Sequence, residues 1–345
     1  MAASETSKSV AVYVSTQSAH GTADTTLLQQ QLLTEWAATP TVSFDEIDDE
    51  MDGNIVPTAV PVRLGISTPV RAAGRLRSAN IIPLIKAAGF GVTTTTSSPV
   101  ASANTHVLVP VATDALFPWS TFLAHMGGAS ILKRIISDVR LSGLTLSGEK
   151  NAVARFEANG IGGHEQVASG SETTTSEASP VLRTVEGSFT VTNDAGGTIA
   201  ATARSFSAVV TNEFSSGDDN FVIGDHEFDW QTWLSMTVTG QVDTVFNKTA
   251  WEAIFYAGES TAGSDYSFTS VTGGLDLTVK SATMVTGTTP YSMRIEIPHL
   301  TVMQPDDVRA SGRSELRMVL PFRAYQSGAD PLIRITFVNN IASYA

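Results

Sequence analysis

Short runs of alternating apolar and polar residues recur along the whole chain. Leu275-Asp276-Leu277-Thr278-Val279, Met293-Arg294-Ile295-Glu296-Ile297 and Ile333-Arg334-Ile335-Thr336-Phe337 alternate cleanly. A period of two puts every second side chain on one face, which is the pattern of a half-buried antiparallel strand. Val139-Arg140-Leu141-Ser142-Gly143-Leu144-Thr145-Leu146 shows the same period with one register shift, and Val153–Phe156 resumes it after a Gly-Glu-Lys-Asn turn. The chain is therefore expected to be mainly β. Helical candidates are few. Ser78–Ala88 offers Ser78 or Asn80 as N-cap, Pro83 in the first turn and Gly89 as a stop. Asn247–Ala257 offers Asn247 or Thr249 as N-cap and Gly258 as a stop. In residues 26–37, Leu28, Leu32 and Trp36 fall at i, i+4 and i+8, the spacing of one helix face. Thr93–Pro99 is a polar, low-complexity stretch after the first helix, and Ser169–Pro180, near the midpoint, has no apolar period and reads as a linker or exposed loop.

The elements come in the same order twice. Ala88-Gly89 and Ala257-Gly258 close the two helices at an offset of 169, and Leu64–Ser67 and Leu234–Thr237 precede them at 170. Further upstream, Phe44–Ile47 matches Phe206–Val209 at 162; downstream, Val139–Leu146 matches Ile295–Val302 at 156. Strand, long acidic loop, strand, helix, spacer and hairpin thus recur. Two copies are too few for an open solenoid and fit a pair of like domains. The expected organisation is an N-terminal arm (1–40) and two similar antiparallel β-sandwich domains (41–170 and 171–345), each with one flanking α-helix. The arm has no counterpart in the second half. It would either dock on a neighbouring subunit as an amphipathic helix or pack on its own domain.

Composition narrows the function classes. There are 34 acidic and 21 basic residues, a formal charge of -13, and this argues against tight nucleic-acid binding, which needs clustered Lys and Arg. The acids are banded: residues 35–60 hold seven of them and residues 205–247 another seven, neither with a Lys or Arg. The absence of cysteine removes disulfide frameworks, thiolate metal sites and a Cys nucleophile. No apolar run nears the ~18–20 residues that span a bilayer, so membrane insertion is not expected. MAASETSKSV lacks the basic-then-apolar order of a signal peptide.

Catalytic and metal readings are weak. Asp45, Glu46, Asp48, Asp49, Glu50 and Asp52 are dense enough for acid-base work, but a solvated acidic face explains them more simply. Asp48–Gly53 lacks the EF-hand order, because the position six beyond Gly53 is Ala59. Asp225–Asp229 has ligand residue types without a recognised spacing. The six histidines are scattered, no Gly-x-Ser-x-Gly elbow occurs, and Gly160–Gly163 lacks the Lys of a phosphate loop. The chain is read as a non-enzyme without cofactor or metal.

The order of elements resembles the major tail tube proteins of long-tailed bacteriophages, in a duplicated tube-domain form. The resembling stretches are Glu46–Gly91, Val139–Gly160, Ala203–Gly258, Met293–Tyr325 and the final strand Leu332–Asn339. The resemblance implies a structural virion protein, assembled in the host cytoplasm, whose tube domains join edge to edge into stacked rings that conduct DNA at ejection. With two domains per chain, three chains would close a pseudo-hexameric ring; a hexamer with one decorated domain is the alternative. Tape-measure protein, tail terminator and baseplate hub are the implied partners. The family's long early loop would be Asp48–Pro61 and Ser215–Trp230, with Asp48, Met51, Ile55, Val56, Asp218, Asp219, Phe221, Phe228 and Trp230 reaching the next ring or packing on their own domain. Asp45, Glu46, Asp49, Glu50, Asp52 and Glu213 are candidates for an acidic lumen or loop that repels phosphate. A carbohydrate-binding or adhesive β-sandwich from a cell or virus surface is the competing class, and a hydrolase using the acidic cluster is a third.

Overall fold

The structure is a computed structural model that describes residues 10–45, 62–96, 103–127, 132–193, 198–200, 202–215, 231–246, 272–303, 306–309 and 316–344, with residues 221, 223, 248, 251 and 252. Strands dominate them, as the alternation demands. The first half runs β1 (Ala11–Thr16), β2 (Leu28–Gln31), β3 (Leu33–Ala38), β4 (Thr41–Asp45), β5 (Val62–Arg75), helix α1 (Ile82–Ala87), β6 (Phe90–Thr96), β7 (Asn104–Pro110), β8 (Ser120–Met126), β9 (Leu132–Glu149), β10 (Arg155–Gly162) and β11 (His164–Val167). After the two-residue β12 (Thr174–Thr175) come β13 (Arg183–Asn193), β14 (Thr198–Ala200), β15 (Ala203–Phe214), β16 (Trp233–Val245), β17 (Thr272–Thr286), β18 (Thr289–Val302), β19 (Asp306–Arg309), β20 (Arg317–Ala324) and β21 (Arg334–Asn339).

The pairing pattern occurs twice. In the first half the antiparallel order is β1-β8-β9-β10-β5-β4, with β11 added to β9. In the second half it is β13-β17-β18-β20-β16-β15, with β21 added to β18. Register repeats as well. β3 and β4 lie end to end along β5 as β15 lies along β16, at an offset of 170, and the irregularities recur at matching places: between Leu33/Glu35 and Ala203/Ser205, and between Ser43/Phe44 and Glu213/Phe214. Arg155 pairs with Arg75 as Arg317 pairs with Val245.

Two sequence matches are corrected by this register. The counterpart of Phe44 is Phe214, not Phe206, and Leu141 corresponds to Val302 at an offset of 161, not 156. The first slip, of eight residues, leaves a period of two intact, so alternation alone cannot detect it; the second, of five, is hidden because Val139-Arg140-Leu141 and Leu144-Thr145-Leu146 repeat one pattern five residues apart.

A long sheet runs β4-β5-β10-β9-β15-β16-β20, continued by the end of β18 and by β19. Its two halves meet where β9 pairs with β15. β9 and β18 each switch sheets along their length, and their first halves belong to two backing sheets, β2-β1-β8-β9-β11 and β13-β17-β18-β21-β7-β6. One apolar cluster fills the space between, from Ala158, Leu144, Val210, Val238 and Phe322 on the long sheet to Val14, Phe122, Leu277, Ile295 and Ile335 on the backing sheets. Each such side chain contributes ~1.5–3 kcal/mol by leaving water. The hairpin β6–β7 has no described counterpart in the second half, and β7 extends that half's backing sheet through β21.

Residues 26–37 are not a helix. They form β2 and β3, which pair with β1 and β5. A spacing of four is a multiple of two, so Leu28, Leu32 and Trp36 satisfy a strand pattern as readily as a helical one. The arm is thus woven into both layers rather than laid on as a helix. α1 is shorter than expected: Ile81 is its N-cap with no side-chain cap, and Ser78 and Asn80 lie outside it. Gly89 does end it, at φ +90°. In the second half Lys248, Trp251 and Glu252 are helical, and Trp251 packs against Phe246. Ser169–Pro180 is mostly exposed but tied down. β12 pairs with β2, Glu177 accepts from Asn80 N at 3.0 Å, and Arg77 donates to Ser179 O.

Candidate assembly surface

The long sheet has one buried face and one open face, as the alternation in β5 shows: Thr68, Val70, Ala72 and Gly74 are buried, while Pro69, Arg71 and Arg75 are exposed. On the open face opposite charges interleave. Arg71 bridges Glu35 at 3.2 Å on one side and Glu157 at 3.1 Å on the other, joining β3, β5 and β10. Arg317 stands 3.5 Å from Asp243, joining β20 and β16. Between these pairs lie short hydroxyl side chains, Thr145 and Ser147 on β9 and Ser205, Ser207 and Thr211 on β15. Such exposed pairs are worth ~0–1 kcal/mol each. Their larger effect is to neutralise Arg71 and Arg317 locally.

The junction of the halves is anchored beneath by a buried polar node. Arg140 sits where β9 leaves β8 for β10 and β15, and its side chain is 1% exposed. It donates to Asp114 Oδ1 at 2.7 Å, to Phe117 O at 3.2 Å and to Gln231 O, and its guanidinium lies 3.7 Å from the Trp119 ring centre. Burial pulls its pKa down, while the charge and hydrogen bond of Asp114 pull it up. Asp114 Oδ1 also accepts from Trp233 N at 2.9 Å. Trp233 Nε1 in turn donates to Asn212 Oδ1 at 3.2 Å, and Asn212 Nδ2 reaches Ala88 O and Leu141 O at 2.9 Å each. The node joins the end of α1, β9, β15 and β16. Asp138, at φ +56°, fixes the bend just before it by accepting from Gly21 N at 2.8 Å.

The hairpin tip between β9 and β10 enters a cleft at the near edge of the second half. Lys150 N donates to Arg204 O at 2.6 Å, and Thr184 Oγ1 donates to Glu149 O at 2.6 Å. A second buried node lies at the chain's far end. His106 meets Thr94 at 2.9 Å and Asn339 at 3.0 Å, and Tyr344 donates to Ala79 O at 2.6 Å. Burial pushes the His106 pKa down, against smaller opposing pulls from Asn339 and Ile341.

Most of the sequence-predicted site residues lie outside the described residues: Glu46, Asp48, Asp49, Glu50, Met51, Asp52, Ile55, Val56, Asp218, Asp219, Phe228 and Trp230. So do Asp48–Gly53 and Asp225–Asp229, the two stretches weighed as metal sites. Asp45 ends β4 opposite Val62. Glu213 stands on β15 and accepts from Ser235 Oγ at 3.0 Å. Phe221 is 37% exposed, and its ring lies against Gly65 so closely that a Cβ there would be 3.0 Å away. Ile223, two residues on, is fully exposed. Arg140, Asp114, Asn212 and Trp233 are not among the residues that sequence patterns single out. The one nearby signal is the register shift at Ser142-Gly143, two residues beyond Arg140.

No known family model matches this chain, and comparison with curated proteins gives no match.

Proposed function

We propose that this chain is a structural tube subunit of a phage tail, with two tandem tube-like domains that assemble into rings around a channel for DNA. The observation that carries the reading is the long sheet. It is built from two copies of one pairing pattern joined edge to edge, and it ends in two edges, β3–β4 and β19, whose outer sides find no partner among the described strands. Unpaired edges are natural association surfaces. A repeat that already joins its own copy through one such edge is a heterologous building block that closes into a ring when the rotation allows.

Three chains of eight strands would give a 24-stranded barrel. At ~4.8 Å between strands and a tilt of ~35–45°, its backbone diameter is ~45–50 Å. Inward side chains leave a lumen of ~35–40 Å, wide enough for a DNA duplex. Two Arg residues of the open face, Arg71 and Arg317, stand against Glu35, Glu157 and Asp243, which limits their counterion-release binding to phosphate. Stacking of rings through the two long loops, and contact with tape-measure protein, terminator and baseplate hub, belong to the same proposal. A carbohydrate-binding reading calls for aromatic platforms. The open groove on the outer side of β13, β17, β18 and β21 is lined instead by charged residues such as Asp276, Arg294, Glu296 and Asp330.

Negative-stain microscopy of the concentrated full-length protein tests the reading. Rings or tubes with an axial channel and threefold chain count are expected. A monodisperse monomer at every concentration would refute it.

A further inference from the structure

The intrachain junction is a template for how one copy of the repeat receives another. We propose that the two free edges of the long sheet pair between chains, with β19 of one copy antiparallel to β3–β4 of a second copy, in the register that β9 adopts against β15. This rests on the ring-forming reading and adds to it the partner edge, the alignment and a socket.

The alignment follows from rows of paired residues. At the internal junction one row crosses three strands as Arg155, Ser147 and Ser207. The counterparts of the first two are Arg317 and Arg309, which are themselves paired. The counterpart of Ser207, at the offset of 170 fixed by the β3–β5 and β15–β16 registers, is Ala37. Arg309 of one chain therefore stands opposite Ala37 of the next. A second row, Glu157, Thr145 and Val209, maps onto Val319, Asp306 and Thr39 in the same way.

The socket follows from the clefts. The cleft that holds the β9–β10 tip is lined by Thr184, Phe189, Arg204 and Phe206, and ≈360 Å³ of it remains open. β13 and the start of β15 form its walls, and their counterparts are β1 and β3. A cleft of ≈780 Å³ lies between those counterparts, lined by Leu32, Trp36 and Met126 and also by Glu35, Arg75 and Arg77. Leu32 is 40% exposed there. In this register Leu316, beside the start of β20 and 42% exposed, lies at the end of the second copy that meets the cleft. Backbone pairing sets the alignment, and the cleft gives the contact its area.

The cysteine-free chain allows a clean test in the full-length protein. Opposed residues in an antiparallel pair have Cα atoms ~4.5–5.5 Å apart, within the range a disulfide spans. Ala37→Cys with Arg309→Cys is oxidised at assembly concentration, alongside Ser147→Cys with Ser207→Cys as the intrachain control. Covalent oligomers ending at closed trimers are expected from the first variant. Each single variant should give only traces of dimer. Adding Leu32→Asp should lower the cross-linked yield at least tenfold. If the same sample shows rings and the control bond forms, but Ala37→Cys with Arg309→Cys stays monomeric, the pairing is wrong while the ring reading stands. Cross-linked oligomers without rings uphold the pairing and remove the ring. Neither product, with the control bond formed, overturns both.

Discussion

Removing Asp114 should expose the cost of the charge buried under the junction. Its carboxylate accepts from Arg140 Nη1 at 2.7 Å and from Trp233 N at 2.9 Å. Asp114→Ala leaves a guanidinium that is 1% exposed facing the backbone carbonyls of Gln231, Phe117 and residue 114 in place of the carboxylate. Breaking a buried pair by deleting one partner costs ~3–5 kcal/mol. The Asp114 side chain is 25% exposed, which admits some water, so the lower end, ~3 kcal/mol, is expected. For a chain of this size that corresponds to a Tm drop of ~4 °C. Arg140→Met in the same chain removes the stranded charge while keeping its length. The double variant should then be ~2 kcal/mol more stable than the sum of the single losses. Urea unfolding followed by tryptophan fluorescence reads this out, because Trp119 and Trp233 flank the node. A loss below ~1 kcal/mol for Asp114→Ala, or additive losses in the double variant, would show that the pair does not carry the junction.

Acid should destabilise the fold through His106. Its folded pKa is depressed by burial, so its contribution is complete above the unfolded value of ~6.5 and is lost as pH falls through the lower folded value. His106→Gln should flatten the fall in stability between pH ~6.5 and ~5, and an unchanged slope in urea titrations would contradict this. Gly240→Ala should cost ~1–3 kcal/mol, because a Cβ there would meet Ser207 O and the Phe322 ring; an unshifted thermal midpoint would count against that packing. Glu35→Lys with Glu157→Lys removes both partners of Arg71 and should make assembled protein retain duplex DNA at low salt and release it at ~200 mM. Equal retention by the parent assembly would argue that this face does not line a DNA channel.

The fold class was legible because a two-residue period is a local property of strands. The repeat was legible too, at Leu64–Ser67 with Leu234–Thr237, while the matched helix end at Ala257-Gly258 lies outside the described residues. Elsewhere the same period hides the alignment, since Phe44 matches Phe206 and Phe214 equally well by alternation and only the pairing of Phe214 with Trp233 separates them. The strands at 28–38 pass for a helix because Leu28, Leu32 and Trp36 obey both periods. The node was not legible because Arg140, Asp114 and Asn212 come together from three elements up to 98 residues apart in the chain, and no local pattern records such a meeting.

The node also separates the two kinds of junction physically. At the internal one, Asn212 and Trp233 complete a hydrogen-bonded set with Asp114 and Arg140. At the offset of 170 their counterparts are Val42 and Arg63, and at 161 the counterpart of Arg140 is Thr301. An edge made between chains cannot rebuild that set. It must rely on backbone pairing and the cleft, and it bears the entropy of bringing two molecules together, which the covalent junction avoids. The β6–β7 hairpin adds a second lock within the chain by joining β21. Under the ring-forming proposal the angle between the halves is therefore set inside each chain, and the weaker outer edges copy it. Mild denaturant should then divide an assembly into whole chains before it separates the two halves of any one of them.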